Sequence, residues 1–148
     1  MKLLMVLIAV IGGILAGTQA PINGELGRRI GSLEAALVSF FIGTLVLTLF
    51  VLFFGKGQLP QALSVPKWQL LGGILGATFV TAIIFCVPNL GVATTIFSAI
   101  IGQVIISMVI DHFGLFGITR NPVNLYRLIG VILMISSLFF IYKGTVQS

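Results

Sequence analysis

The stretch Gly102-Gln-Val-Ile-Ile-Ser-Met-Val-Ile-Asp-His-Phe-Gly114 decides how this chain is read. Within an otherwise apolar run, Gln103, Ser107 and Asp111 stand at i, i+4 and i+8. On a helix that spacing makes one stripe that drifts by only about 80°. In hydrocarbon an amide or a carboxylate costs several kcal/mol unless it meets a partner or water. The stripe must therefore face protein or a wet cavity, as a site or as an attachment between helices.

The rest of the chain places that helix in a membrane. Of 148 residues, 58% are hydrophobic and only 7% are charged, with a mean hydropathy of +1.22; a soluble domain carries about 25% charged residues. The net charge of +5 comes from basic residues scattered between apolar runs. Topology and lipid headgroups account for them, so no nucleic-acid partner is expected. Cys86 and His112 are the single cysteine and histidine, which allows no intrachain disulfide and no metal constellation. No nucleophile stands with a base and no loop could cradle phosphate, so neither catalytic residues nor a cofactor site are predicted. Met1-Lys2 followed by Leu3 to Ala16 mimics a signal peptide. Cleavage after Ala20 would leave Pro21 next in line, and Thr18 fits the small-residue pattern poorly, so an uncleaved first span is expected.

Five apolar runs approach the roughly 20 residues that cross a bilayer. They predict an all-α, polytopic helix bundle forming one membrane domain over residues 1–148, with spans at about 3–27, 33–54, 68–87, 91–110 and 125–142. Glycine and proline mark the connections, at Gly27 to Ser32, Gly55 to Pro66, Pro88 to Gly91 and His112 to Asn124. Trp68 and Tyr142 fall at span ends, where interfacial aromatics belong. Lys2, Lys56, Lys67, Arg120 and Arg127 collect on the side of the N-terminus, against Arg28, Arg29 and Lys143 on the other. This bias predicts a cytoplasmic N-terminus, and it is weak enough to leave insertion in both orientations open.

An internal similarity recurs at a spacing of 59 to 60 residues, with Val10 to Thr18 matching Leu70 to Thr78 and Val38 to Thr44 matching Phe97 to Gln103. Spans one and two would then recur as spans three and four, although glycine, alanine, isoleucine and leucine also recur by chance in membrane sequences. Small residues stand every fourth position in Ala9/Gly13/Gly17, Ala35/Ser39/Gly43, Gly72/Gly76 and Thr94/Ser98/Gly102. In lipid such seams let backbones approach, and packing is the reading they receive.

Polar groups in two spans are candidates for a site. Gln103 lies about 12 residues, or about 18 Å, into its span and so near mid-membrane. Gln19 and Asn23 share a helix face near Pro21, which cannot donate a hydrogen bond to the Gly17 carbonyl. If the helix continues through Pro21, a free carbonyl and two amides come together, the kind of break that transporters place inside the bilayer. The plainer alternative is that Pro21 ends the helix and Asn23 caps the next turn. Asp111, at the edge of its span, is a possible coupling carboxylate, or a structural partner of Arg127 or Arg120. Glu25 and Glu34 read as interfacial charges partly paired with Arg28 and Arg29.

The chain resembles the YdcZ-like inner-membrane proteins of bacteria, a branch of the drug/metabolite transporter superfamily. The residues that carry the resemblance are Gln19-Ala-Pro-Ile-Asn23, Ser39-Phe-Phe-Ile-Gly43, Pro88-Asn-Leu-Gly-Val-Ala-Thr94, Gly102-Gln103, Ser107 through Gly114, and Arg127-Leu-Ile-Gly130. It implies a five-span unit working in pairs, as a homodimer, with a sister chain or fused, and two copies inserted in opposite directions would reproduce the inverted repeats of larger relatives. Small multidrug resistance exporters in the same superfamily use a glutamate in the middle of the first span for proton exchange. Here Glu25 lies beyond Pro21, so proton-coupled cation export is not carried over. The expected function is transport of an unidentified small solute by a dimer through alternating access. Gln19, Asn23, Gln103 and Ser107 would bind it, and Gly17 and Pro21 would form the helix break, with Gln103 facing Gln19 within one chain or across the dimer. A small dual-topology ion channel and a non-transporting partner subunit are the alternatives.

Overall fold

The computed structural model describes residues 2–146 and forms them into five α-helices: α1 (Lys2–Ile30), α2 (Ser32–Phe54), α3 (Leu71–Leu90), α4 (Val92–Phe113) and α5 (Leu125–Val146). Each is long and apolar enough to span a bilayer, the third counted from the 3-10 turn that leads into it at Lys67. There is no strand among the described residues. The class expected from the apolar runs, an all-α membrane protein with five spans, is the one observed.

The helix ends correct the expected boundaries. Two of the connections shrink to single glycines, Gly31 with φ +101° and Gly91 with φ +79°. A side chain at such a φ is strained, and glycine is not. Across the first link the Gly31 amide donates to the Gly27 carbonyl at 2.9 Å and the Ala35 amide to the Gly31 carbonyl at 3.0 Å. Helical bonding is thus handed over while the chain reverses. The two glycines stand at the spacing of the internal similarity, which therefore extends to a helix–glycine–helix pattern used twice.

Neither proline ends its helix. Pro88, expected in a connection, lies inside α3, where the Asn89 side-chain amide donates to the Phe85 carbonyl at 2.8 Å and closes the last turn. Pro21 lies inside α1, which runs unbroken to Ile30. The alternative in which Pro21 terminates the helix and Asn23 caps the next turn is thereby overturned.

Contacts divide the chain into two compact units, Met1–Asn89 and Leu90–Ser148. In the first, Ala35, Ala36 and Ile84 form the buried centre, with Leu26 and Val80 packed against them. Glycines allow this closeness: a Cβ on Gly24 would stand 2.9 Å from Val87 Cγ1, and one on Gly27 would stand 2.5 Å from Ile84 Cγ2. Packing of the first unit is thus concentrated around the Gly31 turn. Away from it, positions Gly13, Gly17, Gly43 and Gly72 would offer a Cβ nothing within 4 Å, so the seams do not close at those positions within the unit.

In the second unit α4 and α5 run antiparallel, with Thr94 beside Thr145 at one end and Asp111 beside Arg127 at the other. Gly114, left-handed at φ +66°, ends α4 by donating to the Ile110 carbonyl. Asn124 starts α5: its Oδ1 accepts the Arg127 amide at 3.0 Å and its carbonyl accepts the Leu128 amide at 3.1 Å.

Candidate functional site

The segment between these caps folds back along the end of α4. The Asn121 amide donates to the Asp111 carbonyl at 2.8 Å and Arg120 Nε to the His112 carbonyl at 3.0 Å. The Val123 amide donates to His112 Nδ1 at 3.2 Å, which places the imidazole proton of the neutral ring on Nε2. This return path sets Arg127, in the first turn of α5, opposite Asp111, with Nη1 to Oδ2 at 3.1 Å. Of the two arginines open to Asp111 in the sequence, Arg127 is the partner, while Arg120 is spent on the His112 backbone.

The pair is bonded at a single point. Arg127 Nη1 also lies 3.4 Å from the Asn121 carbonyl. Asp111 Oδ1 and Arg127 Nε and Nη2 have no hydrogen-bond partner among the described residues. The side chains of Asp111 and Arg127 keep 32% and 30% of their surface exposed.

Above the pair a groove of about 610 Å³ separates the two helices, lined among others by Gln103, Ser107 and Asp111 from α4 and Arg127, Gly130 and Met134 from α5. Gly130 leaves the facing wall low, since a Cβ there would meet nothing within 4 Å. Ser107 donates its proton to the Gln103 carbonyl at 2.6 Å, so its hydroxyl offers the groove lone pairs. The Gln103 side-chain amide makes no hydrogen bond to another described residue. The three polar residues of the sequence stripe thus line one wall.

The candidates in the first unit separate from each other. Asn23 is buried at 6% exposure, and its Oδ1 accepts the Ser39 hydroxyl at 2.8 Å; it ties α1 to α2. Gln19, one turn earlier, is exposed and bonds no described residue. Gly17 and Pro21 lie within continuous helix. Glu25 holds Arg29 at 3.0 Å and Arg28 at 3.4 Å at the exposed end of α1, as interfacial charges do.

Two polar contacts lay outside the sequence reading. Ser39 was legible as a small residue in a seam, but its partner is sixteen positions away. Thr94 Oγ1 lies 3.2 Å from Thr145 Oγ1, and the Thr145 proton goes to the Ile141 carbonyl, so Thr94 is the donor. Thr145 falls beyond the predicted end of the fifth span, at a helix that continues to Val146. Thr95, 4% exposed, is the buried residue whose hydroxyl lacks a partner among the described residues. No group of three or more His, Cys, Asp or Glu side chains that could hold a metal ion occurs among them.

Five apolar helices, with an amide, a hydroxyl and an ion pair lining a groove between two of them, define a multi-pass membrane protein. The chain belongs to the YdcZ family: residues 4–140 match the family model described as "Putative inner membrane exporter, YdcZ". That places it among inner-membrane proteins of a transporter family. No curated protein and no solved structure matches the chain.

Proposed function

We propose that the protein exports a small organic solute, as a dimer working by alternating access, and that the groove between α4 and α5 is part of the solute's path. The observation that carries this reading is the convergence of Gln103, Ser107, Asp111 and Arg127 on one groove. Gln103 is eleven residues past the first residue of the 22-residue α4, so its amide stands near mid-membrane, where an unpaired polar group is costly and a solute would satisfy it. The ion pair lies at the helix end that faces the cytoplasm if the N-terminus is cytoplasmic. Parting of Asp111 from Arg127 would open the groove to that side, and the carboxylate so freed could couple transport to a cation. In the first unit Gln19 offers a further amide on α1, and the Gly17 carbonyl left without a donor by Pro21 adds an acceptor. Asn23 contributes by fixing α1 against α2.

The test is flux in proteoliposomes, with a solute first found by its stabilisation of the purified protein against heat, as any ligand of the folded state must stabilise it. Gln103→Ala is expected to lower flux at least tenfold while leaving the protein folded and inserted. Unchanged flux in that variant removes the groove from the path. Rates above roughly a million per second identify a channel and overturn the carrier, since opening and closing around a solute takes microseconds to milliseconds or longer.

A further inference from the structure

We propose that the groove recognises a zwitterion, a primary ammonium and an anionic oxygen group held a few ångströms apart on a molecule with an apolar tail. This rests on reading the groove as the solute's site and adds the class of solute.

The geometry of the ion pair carries the inference. An arginine and a carboxylate frequently form two parallel bonds, and here they form one. The unused atoms have opposite character. Asp111 Oδ1 accepts, and Arg127 Nε and Nη2 donate, and both residues line the same groove. A solute carrying only a positive charge would be drawn to Asp111 and would either stand against Arg127 or displace it, leaving a partly buried guanidinium unpaired. A purely anionic solute meets the mirror-image penalty at Asp111. A zwitterion meets neither: its ammonium donates to Oδ1, its anionic oxygens accept from the free edge of the guanidinium, and four charges alternate in sign around a ring. The existing bond between Nη1 and Oδ2 need not break.

The remaining walls bound the molecule. Deeper in the groove, Ser107 offers lone pairs and Gln103 a free amide. Met108 and Val131 line both this groove and a neighbouring pocket of about 490 Å³ that is almost wholly apolar and includes Ile105 and Leu128. An apolar side chain can lie against that shared wall while the charged end stays at the ion pair. An amino acid with an aliphatic side chain has this form, and an ethanolamine phospholipid shares the ammonium and anionic group.

The experiment measures thermal unfolding of the full chain in nanodiscs of phosphatidylcholine, whose quaternary ammonium has no proton to donate. The probes are L-leucine, L-leucine methyl ester, which keeps the ammonium and loses the carboxylate, and N-acetyl-L-leucine, which does the reverse. Leucine well above its Kd is expected to raise the midpoint by about 5 °C, and each analogue by less than about 1 °C. Arg127→Lys, which keeps the charge but loses the planar fork, is expected to remove at least half of the leucine shift. Because that substitution also alters a contact between α4 and α5, the comparison of probes on the unmodified protein decides. An equal shift with the methyl ester makes the groove a cation site, and an equal shift with the N-acetyl compound an anion site; either overturns the proposal. Replacing phosphatidylcholine by phosphatidylethanolamine separates the sources. A raised midpoint with loss of the leucine response identifies the lipid headgroup as the zwitterion. No shift with leucine and none with phosphatidylethanolamine overturns the proposal as well. The export reading is untouched by any of these results and is tested separately, by flux in proteoliposomes.

Discussion

Arg127 reaches Asp111 through one nitrogen and one oxygen, Nη1 to Oδ2 at 3.1 Å, from the first turn of one helix to the last turns of another. At the far end of the same two helices Thr94 donates to Thr145 at 3.2 Å. The antiparallel pair is thus pinned at both ends, and the groove lies alongside the ionic pin. Each pin is an interaction of modest strength.

The strength of the ionic pin is measurable by a double-mutant cycle on Asp111→Asn and Arg127→Gln. With each side chain about a third exposed, solvent screening holds the coupling near the surface value, about 1 kcal/mol or below in reversible unfolding. A coupling of 3 kcal/mol or more, the order expected when a fully buried pair is broken, would show that the pair is a structural lock and would count against its parting in the proposed cycle.

Ser39→Ala removes the donor to the buried Asn23 and is expected to cost about 1 kcal/mol, within the range of interhelical hydrogen bonds in membranes. Thr48→Ala, whose hydroxyl bonds only its own helix at the Thr44 carbonyl, serves as the reference and should cost a few tenths of that. Equal losses would mean that the Asn23–Ser39 bond does not hold α1 to α2.

Gly27→Ala puts a Cβ 2.5 Å from Ile84 Cγ2 and is expected to destabilise by about 1–3 kcal/mol, the cost of overpacking a close contact. Gly13→Ala meets nothing within 4 Å and should be neutral or slightly stabilising to the isolated chain, because alanine favours helix. Thermal unfolding of both variants in the same detergent makes the comparison.

Thr95→Val exchanges a buried hydroxyl without a partner for a methyl group of the same shape. Stability should rise by about 1 kcal/mol, since the desolvated hydroxyl returns nothing for its burial. The adjacent Thr94→Val loses the bond to Thr145 and should fall by a similar amount. The opposite signs in neighbouring residues are the result to look for in unfolding midpoints.

The sequence by itself determined the class of the protein, the number of spans and the residues of the polar stripe. Hydrophobic length and helical spacing are properties of a segment alone: a run such as Val92 to Ile110 must be helical in lipid to satisfy its own backbone, and Gln103, Ser107 and Asp111 then share a face whatever surrounds them. Tertiary structure decided the partners. Arg120 and Arg127 were equivalent candidates for Asp111 until the return of the chain through Asn121 and Val123 spent one on a carbonyl and aimed the other. Asn23 and Gln19 read as a pair at i and i+4, yet one meets Ser39 in a buried contact and the other stays exposed, because burial depends on which helix lies opposite. The prolines misled for the same reason. Local preference ends a helix near Pro21 or Pro88, whereas the packing of α1 and α3 around Gly24, Gly27 and Ile84 extends both helices to single-glycine links at Gly31 and Gly91. A bilayer enforces helices segment by segment, and the contacts between them are settled only when distant segments meet.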